Sequence, residues 1–393
     1  MKIFAFLTLL FCCFCSSAQN IIVHGTVVDA ATSAPVSNAM VFINQSTHGQ
    51  ITDSLGSFSI TDVNETQFEI IVYAKQYEPI IYRFTKNQIN KRIKFALFKK
   101  QTAKQPKTDS FLANNILKWQ QLFLQEFLGV STNAEDCYVA NLSSLIFTVD
   151  TATRFINVTA TEPLQVFNES LGYYITCYLH ECTLTEKQEL NSIEYYTWYK
   201  PSTTKREEMI TKWKTRRHDA YDASIMQFMR AFYKGSINNT VYSIKKIIRY
   251  YEDESPSLFN NAKKNNGASA VQTEAVATSN NEYRYRKFIE VVDKEELPIA
   301  KIRLTDTLNN AMVFVGKNKY QILYRSKIAR LFYYNNGANE TLSQTVTSSL
   351  NLTDNLLIFS SGRFFDDTQL NIQGYWHLLR LADILPFDYV EEK

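Results

Sequence analysis

Between residues 21 and 98, apolar positions recur at every second residue in short runs. The runs are Val23, Gly25 and Val27; Ala39, Val41 and Ile43; Phe58 and Ile60; and Phe68, Ile70 and Val72. Side chains of a strand alternate between its two faces, so each run predicts a strand with one buried face. β-branched and aromatic residues dominate these runs, and turn formers bound them. Asp53 and Gly56 have the spacing of a tight turn, in which a carboxylate accepts turn N–H groups and glycine tolerates positive φ. Pro35 falls between two runs, where its missing donor costs no ladder hydrogen bond.

Past residue 109 the period changes. Leu112, Ile116, Trp119, Phe123 and Phe127 are spaced for one face of a helix, with Gly129 just beyond it. Strand-like runs follow at 137–141, 145–149, 155–161, 164–167, 173–183 and 193–199. Helices are expected at 205–217 and 223–233, and strands again at 242–249, 287–292, 311–315, 320–324 and 356–359. Residues 374–386 predict a short closing helix stopped by Pro386. The expected fold is mainly β with an α+β part: an N-terminal antiparallel β-sandwich, then a larger β-rich α+β region. The expected boundaries are a leader at 1–18, the sandwich at 19–98, a polar, lysine-bearing linker at 99–109 and an α+β region at 110–251. Residues 252–281, poor in apolar side chains and rich in Asn, Ala and Ser, are expected to be a disordered or variable loop. A β-rich region with the closing helix occupies 282–393.

The ordered set Gly25, Asp29, Pro35, Thr52-Asp53, Gly56, Phe58 and Tyr77 resembles the carboxypeptidase regulatory-like domain, a small sandwich of the transthyretin type. That family usually has glycine before the tyrosine, where this chain has Gln76. In metallocarboxypeptidases the sandwich sits beside the catalytic domain and does no chemistry, so the resemblance implies a fold and a secreted context. Related sandwiches sometimes bind carbohydrate. Further on, Phe127-Leu128-Gly129, Glu162-Pro163-Leu164, Asn168 with Leu171-Gly172-Tyr173, Trp213 with Arg217, Gly374-Tyr375-Trp376 and Ala382-Asp383 occur in order. They resemble secreted proteins of diderm bacteria named only for that regulatory domain, a resemblance that implies no established reaction. Its usual Tyr-x-Gly-Ser step reads Tyr221-Asp222-Ala223-Ser224 here.

The first residues read as a secretory leader: Lys2, an apolar stretch from Ile3 to Cys15, and Ser16-Ser17-Ala18 before Gln19. The stretch is too short to span a bilayer, which takes ~20 residues. No small residue precedes Cys12, Cys13 or Cys15 as a lipid-anchor site requires, so simple cleavage and export to the periplasm or outer-membrane surface are favoured over a lipid anchor at Cys15. The chain after the leader carries 41 basic and 39 acidic side chains, which gives no electrostatic case for a nucleic-acid partner. Cys137, Cys177 and Cys182 remain after the leader. On one straight strand Cys177 and Cys182 would face opposite sides, so three free thiols are favoured over a bridge.

Catalytic signatures are missing from the sequence. None of the five histidines has Glu three residues on, so the ligand pattern of a zinc carboxypeptidase is absent, and no metal site or cofactor is implied. His180-Glu181-Cys182 forms no relay on a strand, where His180 and Cys182 share a face and Glu181 points away. His218-Asp219 with Ser224 lacks the Gly-x-Ser-x-Gly elbow. One stripe remains: Trp213, Arg217 and Tyr221 follow at spacing four, with Arg216 alongside. These four are the candidate ligand-binding residues, suited to a glycan or lipid headgroup, against the plainer alternative of a helix packing its aromatic edge. The expectation is a non-enzymatic exported envelope protein that binds a glycan or another envelope protein. The alternatives are a hydrolase assembled only in three dimensions and a carbohydrate-binding accessory of an outer-membrane uptake system.

Overall fold

The computed structural model describes residues 21–101, 107–187, 189–237, 240–264, 268–277, 283–316, 318–333, 339–365 and 370–391. The expected leader, Cys15 and the centre of the linker lie outside these residues. Among them, no helix is long and apolar enough to cross a membrane.

The N-terminal unit has seven strands: β1 (Ile21–Asp29), β2 (Met40–Ile43), β3 (Gly49–Ile51), β4 (Ser57–Val63), β5 (Phe68–Tyr73), β6 (Ile80–Phe84) and β7 (Ile93–Leu97). They form two sheets, ordered β4-β1-β7 and β3-β2-β5-β6. Val23, Val27, Val41, Phe58, Ile70 and Leu97 meet between them. One pairing departs from the antiparallel expectation. After β6 the chain crosses back to the first sheet, and β7 enters parallel to β1. Gly25 permits this approach, since a Cβ there would lie 2.1 Å from the Ile93 carbonyl oxygen.

Asp29 ends β1 and is buried. Its carboxylate accepts the backbone N–H groups of Thr32 and Ala31 at 2.9 Å and the hydroxyls of Thr32 and Tyr77 at 3.0 Å. The Thr32 N–H leads these donors in holding its pKa down at about 2, against the opposing effect of burial. Because the folded-state pKa is depressed, this stabilisation is complete above about pH 4 and is lost as pH falls toward 2. Asp29→Asn is therefore expected to flatten the acid limb of a plot of urea midpoint against pH between 2 and 5. A limb as steep as that of the wild type would show that Asp29 does not carry it. Beside Tyr77, Gln76 adopts φ 71°, so it keeps the left-handed turn that glycine would take with less strain.

The middle region starts with α1 (Ser110–Ala113), α2 (Ile116–Leu128) and α3 (Thr132–Glu135). The single helix expected here is split at Asn114-Asn115. A second sheet system follows: β8 (Cys137–Val139), β9 (Leu145–Val149), β10 (Ile156–Ala160), β11 (Leu164–Asn168), β12 (Tyr173–Leu184) and β13 (Leu190–Pro201). Trp119, Phe123 and Phe127 of α2 pack on its inner face with Phe147, Val166 and Ile175. A β-bulge between Leu179 and Glu181 shifts the register of β12 against β13. The extra residue reverses the alternation, so Cys177 and Cys182 both point into the core, contrary to the straight-strand expectation. The same shift exposes both His180 and Glu181, so His180 does not share the face of Cys182.

Two helices, α4 (Glu207–Tyr221) and α5 (Ile225–Lys234), lead into the last region. Its elements are β14 (Tyr242–Tyr251), α6 (Pro256–Lys263), β15 (Gln272–Ala277), β16 (Tyr283–Val292), β17 (Arg303–Asp306), β18 (Ala311–Phe314), β19 (Lys319–Tyr333), β20 (Asn339–Asn351), β21 (Leu356–Ile358), β22 (Phe364–Phe365), β23 (Asn371–Gly374) and α7 (Tyr375–Leu378). They build sheets ordered β15-β16-β14-β19-β20-β23 and β17-β18-β21-β22. Phe228 and Phe232 of α5 bury against Phe314, Tyr242 and Trp376. The expected loop at 252–281 holds α6 and β15 instead. Pro256 starts the helix, Phe259 and Ala262 bury against Ile289, and β15 pairs along its length with β16. Two buried apolar residues on one helix face suffice there, which an average over composition conceals. The closing helix is two pieces, α7 and a 3-10 turn at Leu381–Asp383, with extended backbone between them.

The sandwich is docked on the middle sheet. The Gln45 N–H donates to the Thr197 carbonyl at 2.7 Å, and the Tyr199 N–H to the Ser46 carbonyl at 2.9 Å, so residues 45–47 extend the edge of β13. Phe42 stacks on Trp198, with Ile71 and Tyr196 beside them. The two central strands of the second sheet, β2 and β5, are thus buried on both faces, while β3 and β6 keep exposed positions.

Candidate functional site

The outer face of the middle sheet carries a row of aromatic side chains. Register places Phe167 of β11 opposite Tyr138 of β8 and Tyr174 of β12. The Tyr138 and Phe167 rings stack at 4.8 Å and 3°, and Tyr174 meets Phe167 edge-on at 4.8 Å. Tyr138 and Tyr174 remain 48% and 47% exposed, unusual for rings in such contact. Further along the face the sandwich covers Trp198. Lys200, opposite Tyr174, lies over that indole at 4.1 Å. The uncovered end forms a groove of about 280 Å³, walled by Trp213, Met209 and the 202–206 segment, with Arg206, Glu169 and Ser202 at its polar rim.

Of the four residues singled out in the sequence, Trp213 alone lines this groove. Its indole N–H donates to the Glu169 carbonyl at 3.0 Å, and its ring lies on Gly172. A Cβ at Gly172 would sit 2.4 Å from that ring, and φ there is +67°. Arg217 turns away from the groove. Its Nε and Nη2 donate to the carbonyls of Leu171 and Gly172 at 2.7 and 3.0 Å, and its guanidinium covers Tyr173 at 4.3 Å. Arg216 donates to Thr132 Oγ1 at 3.3 Å. Tyr221 is 9% exposed and faces Tyr389. The stripe therefore holds α4 to the 169–173 turn, and the four residues expected as one ligand set do not face one groove. Tyr138, Phe167 and Tyr174 are 29 and 7 residues apart in the chain, and only strand pairing joins them.

Some of the motif residues, Asn168, Leu171, Ala382 and Asp383, take part in a buried polar knot. Asp383 Oδ1 accepts from Ser131 Oγ at 2.8 Å and Asn133 Nδ2 at 2.9 Å, and Asn133 Oδ1 accepts from Ser170 Oγ at 2.6 Å. Asn168 donates to the Ala382 carbonyl and accepts the Leu171 N–H. Ala223 takes φ 60°, and its carbonyl accepts the Trp376 indole N–H at 2.7 Å. Ser224 caps α5 by accepting the Gln227 N–H, and His218 faces Glu391 at 2.8 Å, so no hydrolase triad assembles there. Burial pushes the Cys182 thiol up to about 12 and raises those of Cys177 and Cys137, which keeps all three protonated and poorly nucleophilic.

Residues 23–105 match the family described as CarboxypepD_reg-like domain, so the N-terminal sandwich is a domain of that type. No curated protein matches the chain. Among solved structures, a 9R-lipoxygenase from Cyanothece aligns at 9% identity over 55% of this chain and 48% of its own, with a TM-score of 0.16. At that score the likeness carries no argument.

Proposed function

We propose that this is a non-catalytic binding protein of the cell envelope, and that the groove beside Trp213 holds a saccharide. The observation that carries this reading is the Tyr138–Phe167–Tyr174 row: Phe167 in ring contact with both tyrosines, which are each about half exposed. A folded protein seldom leaves such a cluster uncovered unless something binds it. Aromatic faces suit the apolar C–H face of a sugar ring, and the few polar groups at the rim supply donors and acceptors for its hydroxyls. The non-catalytic part of the reading is supported by the engagement of the reactive candidates elsewhere, Ser224 in a cap and Cys177 and Cys182 in the core. The leader expected from the sequence supports an envelope location.

Affinity electrophoresis against a panel of soluble polysaccharides tests this. At least one should retard the wild-type protein, and Tyr138→Ala and Tyr174→Ala should each weaken that binding by about tenfold, the order of one lost stacking contact. Near-UV circular dichroism reports whether the variants stay folded. Retardation by none of the panel, or unchanged binding by the folded double variant, would overturn the proposal.

A further inference from the structure

The geometry points to a second ligand site, in the seam between the sandwich, α5 and the C-terminal strap (residues 384–391), suited to a short peptide with free termini. A cavity of about 410 Å³ lies there. Its size is in the range of small-molecule sites, which favour domain junctions. Ile43, Val63 and Phe68 of the sandwich, Tyr221 of α4, and Phe387 and Tyr389 of the strap give it an apolar lining. The charges on that lining are segregated by element. Arg230 and Lys234 project from one face of α5 at spacing four, whereas Asp388 and Glu391 come from the strap.

Each of these groups keeps hydrogen-bonding capacity. Arg230 Nε donates to the Ser361 carbonyl, and Nη2 donates to those of Phe387 and Tyr389. Three of its five N–H groups are so used, and carbonyls leave its charge without a counter-ion. Lys234 is exposed and uses none of its three donors among the described residues. Asp388 accepts the Thr47 N–H and hydroxyl with His48 at 3.9 Å, and Glu391 meets His218 alone among the described residues, so both carboxylates have open lone pairs. The remaining lining charges, Arg363 and Glu65, are paired with each other at 2.8 Å. A ligand matching this arrangement has a carboxylate for the α5 wall, an ammonium for the strap wall and apolar side chains between. A zwitterionic dipeptide with large apolar side chains meets all three requirements. A saccharide or a simple anion meets only part of them.

Isothermal titration of the full chain with phenylalanyl-leucine, its N-acetyl form and its C-terminal amide tests the assignment. The free dipeptide should bind, and either blocked form should bind at least tenfold more weakly. Lys234→Gln should erase the difference between acid and amide, and Glu391→Gln the difference between free and acetylated amine. Both residues lie at exposed positions, so these variants are expected to fold. Lack of binding by the free dipeptide, equal affinity for all three probes, or variants that discriminate as the wild type does would each overturn the assignment.

Discussion

Replacing Arg363 with methionine is expected to destabilise the folded protein by about 3–5 kcal/mol, the range for removing one partner of a buried ion pair. The Arg363 side chain is 4% exposed. Its Nε donates to Glu65 Oε2 at 2.8 Å and its Nη2 to the Asn44 carbonyl at 2.9 Å, and its guanidinium lies 4.3 Å from the Phe387 ring. Methionine preserves much of the volume and none of the donors. The Glu65 carboxylate is then left almost buried without a counter-charge, and the Asn44 carbonyl loses its partner. Pairing Arg363→Met with Glu65→Leu should recover most of the loss, because neither member of the pair is then left buried without its counter-charge. Urea denaturation followed by tryptophan fluorescence measures this. A loss below about 1 kcal/mol for Arg363→Met, the scale of a surface pair, would show that water reaches the seam and screens it.

Asp383→Ala is expected to cost about 2–4 kcal/mol, since it strips one acceptor from two buried donors at once. Ser131 Oγ and Asn133 Nδ2 both converge on Asp383 Oδ1 and belong to the N-terminus and body of α3. Cys137 Sγ donates to the Asn133 carbonyl at 3.2 Å, so its seclusion depends on the same turn. The variant should therefore show a lowered urea midpoint together with faster reaction of Cys137 with a thiol reagent. Asp383→Asn keeps an acceptor oxygen in place and should lose less. A lowered midpoint with unchanged thiol reactivity would mean that Asp383 stabilises the strap and not α3.

The sandwich was legible in the sequence because its inner face follows period two, from Val23 to Val27 and from Phe58 to Ile60. Its outer contacts were not. Phe42, Ile71 and Tyr73 are buried by another part of the chain, so β2 and the Ile70–Tyr73 end of β5 read as unbroken apolar runs whose second partner no local pattern identifies. The bulge in β12 leaves no mark in the sequence around His180, yet it decides which way Cys182 points. Gln76 and Ala223 mislead in the other direction. Each replaces a glycine expected from family resemblance, yet each keeps positive φ, so residue identity changed while backbone geometry did not. The aromatic groove was hidden for a related reason. A helical stripe such as Trp213, Arg217 and Tyr221 is visible as spacing along one segment, whereas a row across β8, β11 and β12 exists only once three strands have found their register.

The docking of the sandwich also bears on the order in which the chain folds. The sandwich core uses contacts within the first hundred residues and can close as soon as those are available. The seam cannot. Gln45 donates to the Leu385 carbonyl and Thr47 to Asp388, partners separated by 340 and 341 positions. Such distant contacts form late, because the entropy of closing the long loop must be overcome before they contribute. Phe42 and Ile71 are covered once Tyr196 and Trp198 reach them, whereas the seam closes only when Leu385 and Asp388 join it. A chain in which β13 has not yet formed therefore presents the apolar outer face of β2 and β5, and this is the stage most open to misassociation.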